Sequence, residues 1–353
     1  MQATKLSGFF VVAIISAFLL MDSQAWAKEE AVRHGSASQP NVTATEIKVV
    51  YKVDLEQLAK KLPGRLMVYR TSPDQGGESQ MEAVKKFFGS ESNMVVDMQK
   101  ASGGIFAADL NRLWARVPGF NDEVPPLNRK QILAATATFL YEINGNPQEK
   151  TVRRFSTDSV ELTDKEGKQK VLPLGANITY RRILNGYKVI GPGGKIKIFH
   201  DSEGMVAGYL RVWRSLKAES VKPLIGVFGA RDEFNKNPLG DTLLADISEV
   251  NVNNITLAYL ERGINQSQNY LQPIYVFDCT AFYKGTEKAE GTRYTRYVAA
   301  LTKQPEPLWQ EGEEYKSDRR RKALPRQSSK VQKMSDESSQ PTSPFTLEDK
   351  DPD

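Results

Sequence analysis

Thirty-seven consecutive residues, Tyr180 to Leu216 (YRRILNGYKVIGPGGKIKIFHDSEGMVAGYLRVWRSL), constrain the fold more than any other part of the chain. Apolar and polar residues alternate through Tyr180–Ile190, and Gly191-Pro192-Gly193-Gly194 breaks the pattern. The alternation resumes over Lys195–His200, with Ile196 and Ile198 on one face and Lys197 and Phe199 on the other. Asp201–Gly204 turns the chain, and Met205–Trp213 alternates again. Period-two alternation bounded by Gly, Pro and Asp predicts three antiparallel strands joined by two tight turns. Asn185, Gly191, Pro192, Gly193, Gly194, Asp201 and Gly204 are therefore expected to be turn-forming, the glycines because they tolerate positive φ.

The first residues do not read as part of this fold. Lys5 supplies a positive charge, Gly8–Met21 is an apolar run of fourteen residues, and Ala25-Trp26-Ala27 places small residues where a signal peptidase reads. Two readings are open, a cleaved signal over 1–27 and a retained anchor. The run is short against the about 20 residues of a membrane span, which favours cleavage and a mature chain without a span. An exported chain with the single cysteine Cys279 has no internal disulfide, so its stability must come from a packed core. Cys279 lies in the apolar run Pro273–Phe282, the setting of a buried, inert thiol. The net charge of +5 is spread along the chain and does not indicate nucleic-acid binding.

Residues 28–45 read as a flexible leader. Ile47–Val53 reads as a short strand. Asp54 is placed to cap a helix with Leu55, Leu58, Ala59 and Leu62 on one face, which Pro63-Gly64 ends. Arg65–Thr71 alternates, and Ser79 opens a second helix carrying Met81, Val84, Phe87 and Phe88, closed by Gly89. Strand-like pieces follow at Met94–Gln99, Ile105–Ala108 and Leu110–Val117. Asn128–Asn144 has the strongest helical period, and two or three strands are expected between Thr151 and Leu174. Beyond the meander, Pro223–Arg231 is apolar and glycine-containing. Pro238–Ser248 suggests a helix capped near Asp241, and Val250–Glu261, Leu271–Tyr283 and Tyr294–Leu301 read as strands. Residues 304–353 read as a disordered tail, with a basic cluster at Arg319–Lys322 and with Trp309 and Tyr315 available as a short docking segment. The expected division is 46–217 for a main domain and 218–303 for a smaller one.

No catalytic set emerges. The two histidines are His34, in the leader, and His200, beside Asp201 at a strand end, where a solvent-facing turn histidine is the simpler reading. There is no His-Glu-x-x-His, no cysteine pair and no Gly-x-Ser-x-Gly, so neither a metal site nor a cofactor is expected. Asn-x-Ser/Thr sequons occur at Asn41, Asn177, Asn254 and Asn265. For a protein interface, Arg211, Trp213 and Arg214 are the candidates by residue type, against the plainer arrangement of a core Trp213 flanked by solvated arginines.

The block Asn185–Gly194, with the strand after it and Asp201-Ser202-Glu203-Gly204-Met205-Val206, resembles PepSY-type modules and the related propeptides of thermolysin- and fungalysin-type metalloproteases. No peptidase domain follows it. The resemblance covers Asn128–Leu216 and implies an α+β fold in which antiparallel β-sheets are covered by helices on one face. Two PepSY/cystatin-like modules would pack together, with a weaker echo in Asp241–Leu301. It also implies a non-catalytic binding or regulatory protein of a bacterial envelope, periplasmic or extracellular, that contacts a protein partner through sheet edges or an inter-module groove. An exported hydrolase with a carboxylate site and a structural envelope component are the alternatives.

Overall fold

Two long hairpins carry the molecule. The computed structural model describes residues 47–309, apart from 75, 90–92, 114–118, 120, 148, 165–166, 241–246 and 286–290. The signal-like segment, the leader, the basic cluster and the end of the tail lie outside these residues, as do 114–117 of the piece expected at Leu110–Val117 and 241–246 of that expected at Pro238–Ser248; residues 110–113 form a turn and not a strand. All described residues belong to one compact unit.

The strands are β1 (Lys48–Tyr51), β2 (Arg65–Ser72), β3 (Met94–Gln99), β4 (Gly104–Asp109), β5 (Thr151–Thr163), β6 (Gln169–Leu184), β7 (Tyr187–Ile190), β8 (Lys195–His200), β9 (Val206–Val212), β10 (Ser215–Pro223), β11 (Ile247–Leu260), β12 (Tyr270–Tyr283) and β13 (Thr292–Ala299). The helices are α1 (Leu55–Lys61), α2 (Gly77–Phe88), α3 (Arg129–Glu142) and α4 (Gly226–Lys236). Among the described residues, all thirteen strands join in one mixed sheet.

This corrects the expected architecture. Strands hold 49% of the described residues and helices 18%, so the protein is sheet-dominated and not a pair of helix-covered modules. The reason lies in the pairing. β1 runs parallel to β11 and β2 pairs with β12, so the beginning of the described chain is built into the same strands as its end. Two self-contained PepSY-like sheets would each have to pair within themselves.

One part of the sheet runs β5-β6-β8-β9-β4-β3, all antiparallel. The other is built on β11 and β12, extended by β13, by β1 and by β2 with β10. The short strand β7 bridges them, antiparallel to the end of β6 and parallel to the end of β11. Helices α2 and α3 lie over the first part, burying Val84, Ile105, Phe139, Ile196 and Tyr209. The second part buries Phe234, Val250, Ile255, Phe277 and Cys279 beneath α1 and α4. Asp54 caps α1 by accepting from Gln57 N at 3.0 Å, and Asn128 caps α3 by accepting from Lys130 N and Gln131 N.

The meander is also drawn differently from the sequence. Tyr180–Ile190 is not one strand, because Asn185 (φ 51°) and Gly186 (φ 83°) turn the chain between β6 and β7. Two adjacent residues with positive φ form the hairpin turn that Asn-Gly favours. Gly191–Gly194 is consequently not a hairpin turn. Ile183 faces Lys188 while Arg181 faces Lys195, so one strand advances seven residues against two on its partner. The five extra residues bulge out of the second strand and carry β7 across to β11.

Candidate functional site

The bulge and the end of β11 enclose a buried charge cluster. Arg182 (1% exposed), Arg214 (0%) and Glu261 (0%) come from β6, the β9–β10 corner and the residue after β11. Glu261 Oε1 lies 3.4 Å from Arg214 Nη1 and accepts from Arg214 N at 3.2 Å, and its Oε2 lies 3.6 Å from Arg182 Nη1. Arg182 Nε donates to Glu149 Oε2 at 2.9 Å, and Trp213 Nε1 donates to the same oxygen at 2.7 Å. The Arg182 guanidinium sits 4.3 Å from the Trp213 ring centroid. Two guanidinium groups thus face two carboxylates, which is how charges this deep are tolerated.

The arginines also tie backbone together. Arg182 Nη2 donates to Arg214 O at 2.9 Å. Arg214 donates to Arg262 O at 3.0 Å and Gly263 O at 2.9 Å, and also to Gln266 O. Burial works to lower the Arg214 pKa from its ordinary value, and Glu261 opposes that shift.

The glycines of the bulge are needed by the approach of this backbone. Gly193 N donates to Glu261 O at 3.0 Å, and Glu261 N to Ile190 O at 2.9 Å. A Cβ on Gly191 would stand 2.6 Å from Glu261 O, and one on Gly193 would strike Arg262 O. Pro192 packs beside Gly263 at the rim. Gly194 has φ 63° and its carbonyl accepts from Arg182 N at 3.1 Å.

The remaining sequence candidates scatter. Asn185 donates to Tyr69 Oη at 2.9 Å. Asp201 shapes its own turn by accepting from Glu203 N and Met205 N, with Gly204 at φ 82°. Arg211 pairs with Asp74 at 2.8 Å, where Tyr209 and Asp74 outweigh burial and hold its pKa above the ordinary value. Trp213 is 5% exposed and belongs to the core under α3. Neither flanking arginine is solvated in the way expected, because both have carboxylate partners inside the fold.

His200 is a correction as well. It is buried, not solvent-facing, and its Nε2 lies 3.0 Å from Thr136 Oγ1 on α3. Thr136 Oγ1 is also 2.9 Å from Ile132 O, to which it donates. Burial pushes the His200 pKa down to about 4, against the opposing pull of the Ala176 backbone and the Asp201 carboxylate. Cys279 is buried and its thiol is pushed up to about 12, chiefly by burial. Asn177 is buried and paired with Asp158, so its sequon is closed in the folded chain. Among the described residues no cluster of three or more His, Cys, Asp or Glu side chains is placed to hold a metal ion.

Sequence reasoning missed Glu149, Arg182, Glu261 and Arg262. The available signal was Glu261-Arg262 set directly against the apolar end of β11 (LAYL). Arg262, 4% exposed, carries the network outward. Its guanidinium donates to Ser267 O at 2.8 Å, Leu308 O at 3.1 Å and also Pro307 O. Glu306, 4.0 Å from Arg262, accepts from Asn269 N at 3.2 Å and Tyr270 N at 3.1 Å, and Gln272 Nε2 donates to Glu306 O at 2.8 Å. Leu308 and Trp309 pack on Ala258, Leu260 and Ile274, with the Trp309 ring 6.2 Å from that of Tyr297. Residues 304–309 thus form a strap laid over the loop end of the β11–β12 hairpin.

No protein-family model and no curated protein matches the chain, so the PepSY resemblance rests on its own residues. A solved structure of an uncharacterized protein from Eubacterium rectale ATCC 33656 is similar at 9% identity and TM-score 0.37, over 67% of this chain and 85% of that one. No helix among the described residues is long and apolar enough to cross a membrane.

Proposed function

We propose that the chain is an exported, non-catalytic binding protein of a bacterial envelope that engages a protein partner along a sheet edge. The observation that carries this reading is β5, a thirteen-residue strand that pairs only with β6 among the described residues. Its other edge offers a row of backbone donors and acceptors, the template for adding a strand from another chain. Val152, Arg153 and Arg154 are exposed at one end of it. The signal-like first segment supports export, and the buried charge cluster supports a structural role for the most polar interior of the protein.

A photoreactive side chain at Arg154, in full-length protein mixed with envelope extract, tests the reading. A discrete cross-linked band, with a matching shift in size-exclusion chromatography at physiological salt, is expected. A chain that neither cross-links nor shifts overturns it, and large self-assembly would transfer the edge to a structural role.

A further inference from the structure

We propose that the surface at the loop end of β11–β12 is a peptide-recognition site, held in cis by the strap and able to take, in the strap's place, an extended partner peptide of the same Glu-Pro-Leu-aromatic type. The proposal goes beyond the β5 reading, since it concerns a different place in the fold. Three features mark this face as built for a peptide. Arg262 is almost fully buried, yet two of its acceptors are carbonyls of the strap itself, Pro307 O and Leu308 O. Two backbone amides of the β11–β12 end, Asn269 N and Tyr270 N, are satisfied by the strap carboxylate Glu306. The apolar floor of Ala258, Leu260 and Ile274 takes Leu308 and Trp309.

The recognition is therefore a carboxylate for a pair of amides, a guanidinium for a pair of carbonyls, and an apolar floor for an aliphatic–aromatic pair. None of these contacts adds the strap to the sheet as a strand. Pro305 and Pro307 suit that mode, since each lacks an N–H and fixes φ, holding the segment extended before it binds. The strap follows β13 after only a few residues, so its effective concentration at this surface is on the order of millimolar. A partner peptide of equal intrinsic affinity is excluded until the strap lets go. The strap is then an autoinhibitory latch, and Glu306 is its catch.

The test uses the full-length chain carrying Glu306→Ala and Trp309→Ala, with a fluorescently labelled synthetic peptide, Lys303–Trp309, as probe. Hydrogen exchange first reads the amides of Asn269 and Tyr270, which the double substitution should leave about tenfold or more less protected while the far-UV spectrum stays native. The peptide should then bind saturably to this variant, at least about tenfold more tightly than to the unaltered chain. Adding Arg262→Gln should abolish that binding. Unchanged amide protection overturns the latch, and deprotected amides with no peptide binding overturn the recognition site. Because the probe is synthetic, failure here leaves the β5 cross-linking result standing, and the converse also holds.

Discussion

Glu261 is the residue on which the interior depends most. With both oxygens directed at buried guanidinium groups, Glu261→Gln leaves two cations facing a neutral amide, and removing one partner of a buried pair costs about 3–5 kcal/mol. Chemical denaturation at neutral pH should show a loss of that size, and a change under about 1 kcal/mol would mean the cluster is not closed to water. His200 sets a second expectation. Its pKa in the folded chain, about 4, lies below the ordinary 6.5, so only the unfolded chain takes up the proton between those values. Stability therefore falls as pH drops from about 6.5 to about 4, by up to roughly 3 kcal/mol from this group. Asp158 works the other way, since burial holds its carboxyl above the usual range, opposed by Lys197 and Asn177. Comparing unfolding midpoints of the wild type and His200→Gln at pH 7 and pH 4 isolates the histidine. The wild type should lose more on acidification, and equal losses would remove His200 from the pH response.

Among the elements, the bulge at Gly191–Gly194 is the one whose shape decides the neighbourhood. Gly193→Ala drives a methyl group into Arg262 O and against Glu261 Cγ at 2.7 Å, and backbone has no rotamer with which to yield. A loss of about 1–3 kcal/mol is expected from this overpacking. Gly64→Ala, with nothing within 4 Å of the added atom, should stay within about 0.5 kcal/mol. Thermal melts of the two variants check the contrast, and equal melting temperatures would show that the bulge gives way freely. Helix α4 teaches something different about elements. It has no side-chain N-cap and contains Gly229 and Gly226, so local propensity hides it. Packing makes it a helix: Val227, Ala230 and Phe234 are buried on the sheet, and the Phe234 ring stacks on Phe277 at 4.5 Å. Helices α1 and α3, by contrast, were legible because Asp54 and Asn128 are caps that act within three residues of themselves.

At the scale of the molecule, the mixed sheet ties distant stretches of chain into one cooperative structure. β1 and β2 depend on β11 and β12, while β7 locks those to β6. Urea unfolding followed by far-UV circular dichroism and by tryptophan fluorescence should give coincident transitions. Trp213 reports the part under α3, whereas Trp309 reports the β11–β12 end. Two separated transitions would restore independent modules. Strap, bulge and charge cluster meet at the same end of β11, so a change in one is felt in the others through Glu261 and Arg262.

The sequence by itself determined the local pieces: the caps of α1 and α3, most strand positions, the buried fate of Cys279 and the turn at Asp201. Each depends on interactions between residues a few positions apart, where spacing and residue type suffice. Only the tertiary structure decided that Asn185-Gly186 ends a strand whose alternation continues on either side, and that Gly191–Gly194 is a bulge shaped by Glu261. It also decided that Arg182, Arg214 and Glu261 share one interior. Those outcomes depend on partners up to seventy-nine positions apart, Arg182 and Glu261 among them. A charged residue looks the same in sequence whether it meets water or a buried counter-ion, and the choice is made by which strands come together.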